Sequence, residues 1–284
     1  MTTPTTPTAA SEPFCAEGAE LIDAGYPLEA VDVLRQGVAT GEPSAPDLLV
    51  RAYLESGSWH AAAEWLGPLV AQGHIRFAGR LGLALAEIGD TVHAEEALRM
   101  AVDSGDLTAA NDLAILLRDD DRAGEAVHVL RNAADAGEPY AGANLVELHL
   151  EAGNLPAAID AAERYVHDRR PETLVALAEV RAQQQRAAEA ERLHQRAVQL
   201  GARRGHTAYG RFLQQVRGDW ARAEREFREA ERADEPGWAY TLGRFLLDDG
   251  RPDEARGYLQ LASDAGDGAA TETLIELDGD PADD

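Results

Sequence analysis

One 32-residue period runs through the chain and limits what it can fold into. Take the positions Gly25, Gly57, Gly89, Asp121, Gly153, Gln185, Gly218 and Gly250; successive spacings are 32, 32, 32, 32, 32, 33 and 32. Five residues after each stands an alanine: Ala30, Ala62, Ala94, Ala126, Ala158, Ala190, Ala223 and Ala255. Sixteen after each come Gly41, Gly73, Gly105, Gly137, Arg169, Gly201, Asp234 and Gly266. The two glycine columns hold 12 of the 26 glycines, where even scatter would put about 1.5. A period of this length means stacked supersecondary units.

Each column has a physical meaning. The first glycine falls where one apolar helical pattern stops and another begins, so it supplies a left-handed turn between two helices. The second ends the second helix. Two residues later Pro43, Pro139, Pro171 and Pro236 are expected to begin the next helices, where a missing N–H costs nothing. Leu49, Leu81, Leu113, Leu145, Leu177 and Leu242 recur eight residues before the marker, usually followed by a small residue such as Gly82, Ala114 or Gly243. Leu34, Leu66, Leu98, Leu130, Phe227 and Leu259 recur nine residues after it. A large residue facing a fixed small one sets a short interaxial distance between helices. The extra residue of the seventh repeat falls near Gln215–Asp219, most simply as a longer turn. Gly268–Leu277 reads as a helix that covers the last repeat.

The small residue in the first helix, the turn glycine, the alanine in the second helix and the later alanine (Ala101, Ala133, Ala197, Ala230, Ala262) resemble the tetratricopeptide repeat, a 34-residue helix–turn–helix. The junctions Ala136–Gly137–Glu138–Pro139 and Ala265–Gly266–Asp267 look more like the related Sel-one-like repeats. The unit is shorter here, and the early-helix Trp is mostly replaced, by Phe14, Pro46, Ala78, Ala110 and Gly142. The expected fold is all-α: an α-solenoid, a right-handed superhelix of about eight helix–turn–helix repeats over residues 11–277 with a C-terminal cap helix. Residues 1–10, Thr/Pro-rich, and 278–284, acidic, read as disordered ends.

Charge and composition narrow the function. The chain carries 51 acidic against 26 basic residues, a net −25, and every basic residue is Arg. Absence of Lys excludes Schiff-base enzymes, Walker-type phosphate loops and kinase-type ATP sites. The negative field disfavours nucleic acid and anionic membranes. One cysteine, Cys15, fits a reducing cytoplasm. The start shows no basic region followed by an apolar stretch, so no signal peptide is expected. The eight histidines fall in different columns, and no HExxH, CxxC or GxSxG pattern occurs. His93–Ala94–Glu95–Glu96 reads as a solvated helix face. Gly205–His206–Thr207–Ala208–Tyr209–Gly210 has phosphate-loop glycine spacing but continues Arg211–Phe212, so it reads as an inter-repeat turn. Asp119–Asp120–Asp121 lacks an ordered ligand loop and reads as solvating turn residues. No cofactor and no metal are expected.

The resemblance implies a groove lined by first-helix residues at 13, 10, 9, 6 and 3 positions before the turn marker. Carried onto this chain, these include Arg51, Arg76, Arg80, Asn111, Arg118, Tyr140, Asn144, Glu147, Arg204, Arg211, Tyr240 and Arg244, with Asp47, Leu54, Leu83, Ile115, Leu150, Glu172, Val175, Glu179 and Gln214 beside them. Asn111 and Asn144 fall where family members place an amide against a peptide backbone. The seven arginines could clamp carboxylates bidentately, or merely balance neighbouring Glu. The sixth repeat is irregular: Gln185 and Arg169 replace both glycines, and His149 and Arg181 enter a column of leucines, which reads as a bend or weak joint. The expected function is a non-catalytic adaptor that binds a peptide or protein segment. Alternatives are a regulatory receptor for a small ligand or signalling peptide, or an accessory subunit of an enzyme complex. A homodimer through the open ends is compatible with the pattern.

Overall fold

The computed structural model describes residues 12–279, so the expected disordered segments at the two ends lie almost wholly outside it. The described residues are helical and contain no strand; a lone antiparallel bridge joins His167 to Arg170. The chain divides into two compact units, 1–129 and 130–284.

The first unit holds α1 (Pro13–Asp23), α2 (Pro27–Thr40), α3 (Ala45–Glu55) and α4 (Trp59–Ala71). A 3-10 turn at Ile75–Phe77 then leads into α5 (Ala78–Glu87), α6 (Thr91–Asp103) and α7 (Ala109–Asp119). The division falls inside α8 (Ala123–Ala136). The second unit continues with α9 (Ala141–Glu151), α10 (Leu155–Tyr165), α11 (Pro171–Gln183), α12 (Ala187–Gln199) and α13 (Gly205–Phe212). It ends with α14 (Trp220–Arg232), α15 (Trp238–Asp248), α16 (Pro252–Asp264) and the cap α17 (Gly268–Asp278). Within each unit consecutive helices pack as neighbours, the arrangement of an α-solenoid.

The columns do what their residue types require. All eight alanines of the second helices are fully buried, and so are the leucines and Phe227 nine residues after the turn. A β-carbon added at Gly18 would lie 2.5 Å from Leu34, at Gly82 2.5 Å from Leu98, at Gly210 2.6 Å from Phe227 and at Gly243 2.8 Å from Leu259. The missing side chain of one helix is therefore the socket for the large residue of its partner. At both turn columns the backbone is left-handed except at Arg169, where the chain makes the His167–Arg170 bridge instead; the other departures from glycine keep the geometry, with φ of 58° at Asp121, 60° at Gln185 and 50° at Asp234.

Three details differ from expectation. Pro43, Pro139 and Pro236 lie two residues ahead of the first helical residue; Pro171 alone of the four starts its helix. Pro43 and Pro236 follow residues whose carbonyls accept from the third residue on (Glu42 from Ala45 at 3.1 Å, Glu235 from Trp238 at 3.1 Å), and the second position of such a turn suits the fixed φ of proline. The extra residue of the seventh repeat is taken up by a π-helical turn, Leu213–Arg217, that ends at Gly218, rather than by a longer loop. The irregularity of the sixth repeat is concentrated before α11. There α10 ends at Tyr165 with Val166 extended, and the His167 amide donates to Thr173 Oγ1 at 2.9 Å. Arg181 is buried in that repeat and bonded to Glu163 and Gln184, at 2.8 and 2.9 Å.

Candidate functional site

Among the described residues of the first unit, the expected groove arginines split by their partners. Arg51 pairs with Asp23 at 3.0 Å and Glu55 at 2.6 Å. Arg76 reaches Asp47 at 3.2 Å and lies over the Phe77 ring at 4.5 Å, and Arg118 meets Asp119 at 3.0 Å. Arg80 makes no ion pair among the described residues. The Asn111 amide leans on the Thr108 carbonyl at 3.5 Å.

In the second unit, eight of the expected residues come together, joined by Arg203. Tyr140, Asn144 and Glu147 on and before α9, Glu172, Val175 and Glu179 on α11, and Arg203, Arg204 and Arg211 around α13 line one concave cavity of about 240 Å³. Successive first helices supply equivalent faces, so the same register repeats along the wall. Two carboxylates hold the polar ends in place. Glu138, buried, accepts from the Tyr140 and Ala141 amides at 2.7 and 2.5 Å. Glu235, also buried, accepts from the His206 and Thr207 amides at 2.9 Å each, which caps α13 just beyond Arg204. Tyr240 and Arg244 sit on α15 away from this cavity, and Tyr240 faces a separate hollow with Trp238 and Leu261.

Charges in the cavity are only loosely neutralised. Arg204 and Arg211 make no ion pair among the described residues, nor do Glu147 and Glu179. Burial pushes the Glu179 carboxyl up to about 7, with Arg211 opposing and Glu147 reinforcing. Burial and the neighbouring Arg211 hold the Arg204 guanidinium below its ordinary value. An arginine pair that makes no direct ion pair is chemically suited to gripping an incoming carboxylate.

The anchoring glutamates escaped the reading of the sequence, although a signal exists. An acid stands 17 residues after the turn marker at Glu42, Asp106, Glu138, Glu235 and Asp267, and each accepts from an amide at a helix start or the turn before it. This also explains the Glu12, Cys15 and Glu42 cluster. Its ligand atoms lie within 4.8 Å of one another, but Glu42 already accepts from the Phe14 and Cys15 amides at 3.2 and 2.8 Å. Burial and the two carboxylates push the Cys15 thiol up to about 12, leaving it protonated rather than a thiolate ligand. His93 bonds Asp90, the N-cap of its own helix, at 2.8 Å, and Glu95 bonds Arg99 and Arg122, so that stretch is used structurally. No helix among the described residues is long and apolar enough to cross a membrane.

Residues 213–270 match the family described as Tetratricopeptide repeat. A tetratricopeptide repeat protein from Parabacteroides merdae is similar in structure, with a TM-score of 0.54 at 13% identity, over 93% of this chain and 96% of that one. The Cut9–Hcn1 hetero-tetramer of the APC/C gives 0.51 at 13%, over 94% of this chain and 56% of that one. A thermophilic tetratricopeptide-repeat protein from Thermus thermophilus gives 0.50 at 18%, over 60% and 98%. At these identities the likeness is one of fold. No curated protein matches the chain by sequence.

Proposed function

We propose that this chain, a tetratricopeptide-repeat protein by its fold and by the match over residues 213–270, is a non-catalytic adaptor that grips a protein segment through the cavity of its second unit. The repeat fold suits protein–protein interaction or scaffolding, and one similar structure is itself part of a hetero-tetramer. The observation that carries the reading is the pair Arg204 and Arg211, which face the cavity without a direct ion pair, while Arg51, Arg76 and Arg118 are occupied by neighbours. Tyr140 and Asn144 on the opposite wall offer a ring and an amide to the main chain of the same segment.

At about 240 Å³ the cavity is below the roughly 300–1,000 Å³ that encloses drug-sized ligands. It is better matched to a few side chains of a longer segment than to a small molecule held whole, which favours the adaptor over the small-ligand receptor. An array of decapeptides with and without a carboxylate tests the reading. Peptides retained through their carboxylate should be lost by Arg211→Glu and kept by Arg51→Glu. Retention of the same peptides by Arg211→Glu refutes it.

A further inference from the structure

We infer that the cleft formed by α5, α6 and α7 in the first unit docks a cationic amphipathic segment of a partner protein. The cleft measures about 520 Å³, and its lining combines aliphatic side chains with acidic ones. Val92 and Ile115 contribute apolar surface that is 67% and 48% exposed, large values for aliphatic side chains lining one hollow. Every charged residue that lines it is acidic; no arginine does.

These acids are not equivalent. Glu95, Asp119 and Asp120 are already bonded to Arg99, Arg118 and Arg122. Glu87 and Asp112 make no ion pair or side-chain hydrogen bond among the described residues. Their surroundings share their sign: burial pushes the Asp112 carboxyl up to about 6, reinforced by Asp106 and Glu87. The nearby arginines are taken up by Glu95, Asp119 and Asp120, and Glu87 and Asp112 are left without one.

Charge complementarity then selects the occupant. An apolar segment would cover Glu87 and Asp112 without compensation, and stripping water from an unpaired carboxylate is costly. An acidic segment or a nucleic acid would add like charge. A purely polar cation would leave Val92 and Ile115 wet. A segment that presents leucine-type side chains flanked by Lys or Arg satisfies both, with aliphatic stems of the basic residues covering the apolar side chains while their heads reach the carboxylates. This inference concerns the first unit and does not depend on the carboxylate grip proposed for the second.

The test uses the full chain and a fluorescein-labelled peptide of alternating leucine and lysine pairs, read by anisotropy near physiological salt, where long-range attraction is screened beyond about 8 Å. Two charge-matched double variants separate the site from the general field: Glu87→Gln with Asp112→Asn, and Asp253→Asn with Glu272→Gln on exposed positions of α16 and α17. The first pair should weaken binding about tenfold, the loss of two ion pairs being partly offset by rehydration of the carboxamides. The second should change it less than about twofold. Ile115→Ser should also weaken binding, whereas Arg211→Glu in the other cavity should leave it unchanged. Equal losses from the two double variants, or none from the first, overturn the inference.

Discussion

His194 should make the second unit sensitive to mild acid, and a single substitution should remove that sensitivity. The residue stands nine positions after the sixth turn marker, in the column that holds Leu34, Leu66, Leu98, Leu130, Phe227 and Leu259 in other repeats. It is 1% exposed, its ring centroid lies 5.0 Å from Phe212 and 5.9 Å from Tyr209, and neither ring nitrogen has a hydrogen-bond partner. Burial, reinforced by Arg211, pushes its pKa down from 6.5 to about 4. The neutral form is therefore favoured on folding, and between these two values the unfolded chain binds the extra proton. Stability consequently falls as the pH drops from about 6.5 toward 4. Integrating the two titrations gives a loss of about 2 kcal/mol between pH 7 and pH 5, approaching 3 at pH 4. His194→Leu restores the column's usual residue and deletes two unsatisfied nitrogens, so it should also stabilise the protein near neutrality by about 1–2 kcal/mol. Equilibrium urea unfolding of both proteins, followed by circular dichroism, reads the difference directly. Asp112 and Glu179 titrate in an overlapping pH range with the opposite sign, since their raised values favour the folded state as pH falls. They are common to both proteins and cancel in the comparison. A gap between variant and wild type that stays constant from pH 7 to pH 5 would refute the argument, because it would mean the imidazole has the same proton affinity folded and unfolded.

Two further substitutions test the architecture. Gly82→Ala puts a methyl 2.5 Å from Leu98 Cγ and 3.1 Å from the Ala94 carbonyl, and overpacking should outweigh the better helix propensity, for a net loss of about 1–2 kcal/mol in urea unfolding; an unchanged midpoint would mean the socket can relax. Gln185→Gly removes a side chain from a residue at φ 60° and should stabilise the protein by about 1 kcal/mol, while a lower midpoint would show that the glutamine side chain compensates for its backbone.

The period was legible because each column does one mechanical job in every repeat. Ala30 and its seven equivalents lie where two helices touch, and Gly18, Gly82, Gly210 and Gly243 face the side chains that need their space. Asp121, Gln185 and Asp234 could be placed by register even without glycine, and their left-handed backbones follow that register. The π turn at Leu213–Arg217 was not legible, since one added residue lengthens a loop or widens a helix equally well on paper. Nor could the arginines be sorted. Asp23–Arg51, Asp47–Arg76, Glu95–Arg122, Asp135–Arg164, Asp168–Arg196 and Glu224–Arg251 are separated by 27 to 29 residues, not by the three or four of a local helical pair.

That separation has its own logic. It is one repeat less three to five residues, the offset at which a side chain on one helix pair reaches the neighbouring pair, so opposite charges at this spacing stitch successive repeats together. The planar fork of arginine suits such stitching because one guanidinium serves carboxylates on two helices at once, as Arg122 does with Glu95 and Glu125. Each exposed pair contributes little by itself, roughly 0–1 kcal/mol. Arg204 and Arg211, with Glu87, Asp112, Glu147 and Glu179, line the two cavities and take no part in the ladder. In a repeat array, where the same surface recurs at every step, the charges omitted from the stitching are what make one cavity chemically different from another. Each of the two cavities therefore owes its preference to residues that contribute least to holding the repeats together.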